Sequence, residues 1–165
     1  MVIILMGVSG AGKTTVGQLL AQQLHWDFAD ADDYHSATNK EKMRSGIPLT
    51  DADRAPWLET LRTLITTWIA TGKNAVLACS ALKRTYREEL RIAPEVQFVY
   101  LKGSPRLLRQ RLHARQGHYM TEQMLDSQLE ALEEPEQAVT IDVDRSPADI
   151  VSVVRDRLAL EPAAS

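Results

Sequence analysis

The chain has 165 residues, 44% of them hydrophobic and 25% charged, with a formal net charge of -3; these are the proportions of one globular domain long enough to bury a core. No long run of one charge sign marks a nucleic-acid partner, and no apolar run approaches the length of a membrane span. The single cysteine, Cys79, permits no intramolecular disulfide, so a reducing cytoplasm is the expected location.

Val2–Met6 is a continuous apolar run, as in a strand buried on both faces, and no basic segment precedes it as in a signal peptide. A helix is predicted over Lys13–Leu24, with Val16, Leu19, Leu20 and Leu24 on one side. A short strand over Asp27–Ala29 then ends in the acidic string Asp30-Ala31-Asp32-Asp33. After Asp51, the residues Trp57, Leu58, Leu61, Leu64, Ile65, Trp68 and Ile69 recur at helical spacing. Asp51 or Asp53 is expected to cap that helix, and Gly72 to end it. Ala75–Cys79 reads as a third strand, Thr85–Ile92 as a helix and Val96–Leu101 as a fourth strand.

Ser104-Pro105 supplies a cap and a first-turn proline for a helix with Leu107, Leu108 and Leu112 inward. A polar stretch, Arg115–Thr121, separates it from an amphipathic helix carrying Met124, Leu125, Leu129 and Leu132. Val139–Ile141 is a fifth strand, and Pro147 opens a last helix with Ile150, Val151, Val154 and Leu158 on its apolar side. This alternation predicts a single α/β domain over 1–165, a three-layer fold with a five-stranded parallel sheet flanked by helices. Ligands on such sheets bind at the carboxyl ends of the strands. The loops after Met6, Ala29, Cys79 and Leu101 should therefore line the site.

Residues Gly7-Val8-Ser9-Gly10-Ala11-Gly12-Lys13-Thr14 match G-x-x-x-x-G-K-[ST] without a mismatch, after a buried strand and before a helix. Backbone N–H groups of such a loop wrap phosphate oxygens, and the following helix presents its positive end to the same anion. The motif assigns Gly7, Val8, Ser9, Gly10, Ala11, Gly12, Lys13, Thr14 and Thr15 to ATP binding. Lys13 would reach the outer phosphates from a solvent-facing position, and the Thr14 hydroxyl would ligate Mg²⁺. Thr15 is an ordinary helix residue in metal terms.

The chain lacks the N-K-x-D string of guanine readers; its nearest sequence is Asn39-Lys40-Glu41-Lys42. The acidic groups available near Mg²⁺ are Asp30, Asp32 and Asp33 after the second strand, as suits a kinase that must offer a base to an acceptor hydroxyl. If the chain stays extended there, Asp30 and Asp32 share a side and Asp33 faces away.

Further stretches carry a resemblance: Asp32-Asp33-Tyr34-His35, Asn39 to Leu49, Asp51 to Leu58, Cys79-Ser80-Ala81-Leu82-Lys83 with Tyr86-Arg87, Tyr100 to Gly103, Gly117 to Met120, Ser127-Gln128 and Leu132 to Pro135. In these the chain resembles the bacterial gluconate kinases, relatives of shikimate kinase and the nucleoside monophosphate kinases, over nearly its whole length. The resemblance implies ATP- and Mg²⁺-dependent phosphorylation of D-gluconate on its terminal hydroxyl, giving 6-phosphogluconate and ADP. It also implies a small mobile lid at about 112–124 and, commonly, a homodimer. Ala31 stands where the family usually has glycine, and Ser36 where it often has proline.

By similarity to the matching loop of shikimate kinase, Asp30 would hold a Mg²⁺-bound water and Asp32 would accept a bond from the acceptor hydroxyl. A polyhydroxy anion needs fixed cations and polar groups, for which the candidates are Arg44, Arg54, Lys83 and Arg84, with His35 for hydroxyls. Arg111 and Arg115, four apart on one helix face, look like lid arginines acting on the transferring group, with Gly117 as hinge. Cys79, Trp57 and Trp68 read as core, and the histidines show no spacing for a structural metal. The competing functions are a kinase for another sugar acid or shikimate-like acid, and a nucleotide-binding regulatory module that transfers nothing.

Overall fold

The computed structural model describes residues 1–114 and 122–162. Its five strands are β1 (Val2–Met6), β2 (Asp27–Asp30), β3 (Ala75–Ala78), β4 (Val96–Lys102) and β5 (Val139–Asp142). They form one all-parallel sheet in the order β2-β3-β1-β4-β5. The helices are α1 (Lys13–Leu24), α2 (Ala37–Arg44), α3 (Asp51–Ala70), α4 (Arg84–Leu90), α5 (Pro105–Ala114), α6 (Glu122–Ala131) and α7 (Pro147–Arg157).

The two-residue period of a strand divides the core into two layers. Ile3 and Leu5 of β1, Val76 of β3, and Val99 and Leu101 of β4 face Val16 and Leu20 of α1, Leu108 and Leu112 of α5, Leu125 of α6 and Val151 of α7. Val2, Ile4 and Met6, with Leu77 and Cys79, and with Phe98 and Tyr100, face Trp57, Leu61, Ile65 and Trp68 of α3 and Leu90 of α4. Each such aliphatic side chain gains about 1.5–3 kcal/mol by leaving water. All five β1 residues are buried, which is why that strand reads as an unbroken apolar run.

The strand after β1 lies toward one edge of the sheet, and the strand after β3 lies on the other side of β1. β1 therefore ends beside the topological switch point, where the crevice for a ligand opens.

The long α3 begins one residue earlier than Asp51 would as a cap. Thr50 is the cap residue: its Oγ1 accepts from the Asp53 N–H at 3.1 Å, while Asp53 Oδ2 accepts from the Thr50 N–H at 3.0 Å. This capping box makes Asp53 the third helical residue, not the cap. At the other end Thr71 is the cap residue and Gly72 follows at φ 68°, the left-handed turn expected of it.

Candidate active site

The loop from Gly7 to Thr14 leaves β1 and enters α1. Gly7 has φ 148°, and a Cβ there would stand 2.8 Å from the Leu101 carbonyl oxygen, so only glycine lets the loop lie against β4. Gly12, at φ 93°, is the cap residue of α1, and no side chain caps the helix. The first N–H groups of α1 are left for an anion.

Lys13 is half-buried, not solvent-facing: its Nζ donates to the carbonyl oxygens of Gly7 at 2.9 Å and Val8 at 3.1 Å. The ammonium is thus held by the backbone of its own loop. Thr14 and Thr15 are exposed on the first turn of α1.

Two distant helices brace the loop. Gln128 of α6 meets Ser9 twice: Oε1 accepts from the Ser9 N–H at 2.8 Å, and Nε2 donates to Ser9 Oγ at 3.2 Å. Arg111 of α5 donates to the Gly10 carbonyl at 3.3 Å and to the Val143 carbonyl, just past β5, at 2.5 Å. Arg111 therefore sits against the phosphate loop. Arg115, Gly117 and the centre of the expected lid lie outside the described residues.

The acidic turn after β2 departs from the expected extended course. Asp30 ends β2 and caps a 3₁₀ turn over Ala31–Tyr34. Its Oδ1 accepts from the Asp32 N–H at 3.0 Å, and its Oδ2 accepts from the Thr14 hydroxyl at 2.7 Å. Short acidic side chains favour such capping over continuation of a strand. At three residues per turn, Asp30, Asp32 and Asp33 no longer alternate between two sides. Burial pushes the Cys79 thiol, at the end of β3, up to about 12; the charges of Asp32 and Asp30 add to the rise, and Lys13 opposes it. The thiol itself is buried and inert, as expected of a core cysteine.

Ala31, where glycine is usual in the resemblance, is buried and free of left-handed strain. Its carbonyl accepts from Trp57 Nε1 at 2.7 Å. Trp57 is therefore more than core packing, because its ring also stacks on His35 with centroids 4.4 Å apart and planes 12° apart. Ser36, in the place of proline, caps α2 through a 3.1 Å bond from the Asn39 N–H to its Oγ.

Of the four cationic candidates, the structure brings Arg54 and Lys83 together. Each places its charge 5.6 Å from the ring centroid of Tyr86. Arg54 donates to the Tyr86 hydroxyl at 3.3 Å, Lys83 meets Asp51 Oδ1 at 2.9 Å, and the Tyr86 hydroxyl bonds the same carboxylate. Hydrogen bonds from Tyr86 and Lys83 hold the Asp51 carboxyl below the usual carboxylate range, and the Asp51 bond holds the Lys83 ammonium above its own. Arg44 and Arg84 stand apart from this group: Arg44 pairs with Glu41 at 3.4 Å along α2, and Arg84 with Glu88 at 3.6 Å along α4.

A residue whose role sequence reasoning missed is Arg87. It is 5% exposed and donates to the carbonyls of Ala81 at 2.8 Å, Leu82 at 2.9 Å and Glu133 at 2.7 Å. It fixes the loop that presents Lys83 and that reaches the phosphate loop, where the Gly7 N–H donates to the Ser80 carbonyl at 3.2 Å. Its only sequence signal was its place beside Tyr86 in a matching stretch.

Sheet order, phosphate loop and the carboxylates beside it define a P-loop phosphotransferase. A family model described as an AAA domain matches residues 2–135. A probable gluconokinase of Xenopus tropicalis is 46% identical over 173 residues, covering 93% of this chain and 91% of that protein. Among solved structures, an unliganded sugar kinase from Janibacter sp. has a TM-score of 0.90 at 39% identity, covering 98% of this chain and 95% of that one. A gluconokinase from Sinorhizobium meliloti has a TM-score of 0.82 at 40% identity, with 95% and 94% covered. The chain belongs to the gluconokinase family of P-loop kinases.

Proposed function

We propose that this chain transfers the γ-phosphoryl group of ATP to the terminal hydroxyl of D-gluconate, forming 6-phosphogluconate and ADP. The observation that carries the reading is the 2.7 Å bond between Thr14 and Asp30, which joins the ATP loop to the acceptor turn with Asp32 two residues further on. Family membership supplies the acceptor's identity.

In this reading Lys13 exchanges the Gly7 and Val8 carbonyls for the outer phosphate oxygens, offsetting charge that builds up as the group moves. Asp32 orients the acceptor hydroxyl and takes its proton late. The new O–P bond forms as the bond from the γ-phosphorus to the bridging oxygen breaks, and ADP carries that oxygen away. Arg54 and Lys83 receive the carboxylate, His35 meets hydroxyls, and Arg111, with Arg115, faces the transferring group. Arg44 and Arg84, each paired along its own helix, are assigned no contact. Thr14 and Asp30 offer adjacent hard oxygen donors of the kind Mg²⁺ takes, and would hold the ion, Thr14 as a ligand and Asp30 through a bound water. Bound there, the ion would neutralise phosphate charge.

The reading also includes a homodimer and a cytoplasmic location. The dimer rests on the resemblance alone. The location is supported by the single, buried cysteine, and no helix among the described residues is long and apolar enough to cross a membrane.

The test is ADP release coupled to a reporter across a panel of six-carbon acids. Turnover with D-gluconate well above that with other sugar acids and shikimate supports the reading. Preference for another acid replaces the substrate, and no ADP release with any acid returns the chain to a non-catalytic nucleotide binder.

A further inference from the structure

The Asn39 side chain has its direction settled by a neighbour that can only accept. Its Nδ2 stands 2.8 Å from the Asp53 carbonyl oxygen, so the amide nitrogen, and not the amide oxygen, faces that group. The same Nδ2 stands 3.3 Å from Nδ1 of His35. An amide NH₂ has two hydrogens and no lone pair to give. With one hydrogen on the carbonyl, the other points at the ring, and Nδ1 must supply the lone pair. The proton of the neutral imidazole then resides on Nε2.

The surroundings hold this arrangement. Asn39 is 7% exposed and His35 8%, so little water is present to satisfy a reversed pair. The ring plane is held by the stack on Trp57, whose indole N–H is anchored on Ala31 in the acceptor turn. Asn39 is itself placed by the cap bond to Ser36. The charged groups facing the ring from the packed helices are Lys40 of α2 and Arg54 of α3, and both disfavour an imidazolium. The carboxylate of Asp53 is turned to Lys42 and Thr50.

We propose that Asn39 is a positioning residue that locks His35 as the neutral Nε2–H tautomer, so that His35 donates a hydrogen bond to an oxygen of the sugar-acid substrate and cannot serve as its base. The identity of that oxygen's owner rests on the gluconokinase reading; the tautomer does not. With Nδ1 occupied by Asn39 and Nε2 already protonated, His35 has no lone pair for the acceptor hydroxyl's proton. Proton acceptance is left to Asp32. A polyhydroxy acid is rich in acceptor oxygens, and a fixed donor selects for one at a fixed place along the chain.

The tautomer is read directly by multiple-bond ¹⁵N–¹H NMR on the full chain, with the His35 signal assigned by its loss in His35→Gln. The expected wild-type pattern is Nε2–H, unchanged from about pH 8 to about pH 5. In Asn39→Asp a carboxylate faces Nδ1, so the ring should take a proton there and titrate at higher pH. An Nδ1–H pattern, or an imidazolium at about pH 6, in the wild-type protein would overturn the lock.

The donor role is read by two substitutions. His35→Gln keeps an N–H near the Nε2 position, whereas His35→Asn places its amide near Nδ1. The Asn variant should raise KM for gluconate about tenfold more than the Gln variant, with kcat little changed in either. Equal KM values in the two variants would overturn the donor role even with the tautomer correct. Turnover independent of any sugar acid would instead sink the gluconokinase reading, and the NMR result would stand.

Discussion

The hydroxyl of Thr14 donates to Oδ2 of Asp30 at 2.7 Å, linking the first turn of α1 to the end of β2. Two oxygen donors that meet in this way either hold a cation when ATP is bound or only tether turn to helix. Thr14→Val keeps the shape and removes the hydroxyl, while Thr14→Ser restores it. Removing one group that orders a metal site costs about 10–100-fold in affinity or activity. The Val variant should therefore need more free Mg²⁺ for half-maximal rate, and the Ser variant should not. An unchanged Mg²⁺ titration in Thr14→Val would reduce the contact to a tether.

Lys13→Ala removes the ammonium now resting on the Gly7 and Val8 carbonyls. Gly7 and Val8 are buried, and both carbonyls lose this donor, so the melting temperature should fall modestly while the variant stays folded. Turnover should fall by about 10³-fold or more, because charge compensation at the transferring group is lost. Circular dichroism and ADP release on the same sample separate these effects. Normal activity in a folded variant would remove the loop from the chemistry.

The sheet was legible because its signal is local. All five β1 residues are apolar and buried, and the eight-residue phosphate motif follows at once. The acidic turn after β2 was harder. Its aspartates were visible, but nothing in the sequence said that Asp30 would fold back on the Asp32 N–H and turn a strand into a 3₁₀ cap. α2 went unread because Ala37–Arg44 holds no apolar period; its stability comes from the Ser36 cap and the Asn39 bonds. Gln128 and Ser9 lie 119 residues apart, and no local pattern reports such a pair.

Stability should fall with pH in a window set by His35. Burial, with Arg54 and Lys40 nearby, lowers its pKa from 6.5 to about 4. The unfolded chain therefore binds a proton that the folded chain refuses. Stability is fully present above about pH 6.5, is lost as pH falls toward about 4, and is lost no further below that. At about 1.4 kcal/mol per pKa unit the total is about 3 kcal/mol. Asp51 and Asp53 have pKa values held below 3.8, so they weaken the fold only at still lower pH. Melting curves between about pH 7 and about pH 4.5 should drop less steeply for His35→Gln than for wild type. Parallel slopes would mean that His35 takes up its proton without leaving the fold.

The sharpest test of the chemistry compares Asp32 with Asp33. The phosphate loop accounts for nucleotide binding; Asp32 is proposed to direct a sugar-acid hydroxyl to the phosphate. The expected difference no longer rests on strand alternation, because Ala31–Tyr34 is a 3₁₀ turn. In such a turn neighbours point about 120° apart, so the two carboxylates still diverge. The charge of Asp32 adds to the rise in the pKa of Cys79, just past the end of β3. Asp32→Asn keeps the shape and one acceptor oxygen while removing charge and basicity. Proton removal is late in a loose phosphoryl-transfer transition state, so much of the carboxylate's work is orientation. The loss in kcat should be about 10²–10⁴-fold, the range of positioned acid–base groups. ATP affinity, measured by titration, should be near wild type in both variants, and Asp33→Asn should keep most of its turnover with gluconate. If Asp33→Asn is the crippled variant, the acceptor lies on the other side of the turn. If neither is impaired, the proton goes to a group outside the turn, and the Thr14–Asp30 contact organises the nucleotide alone.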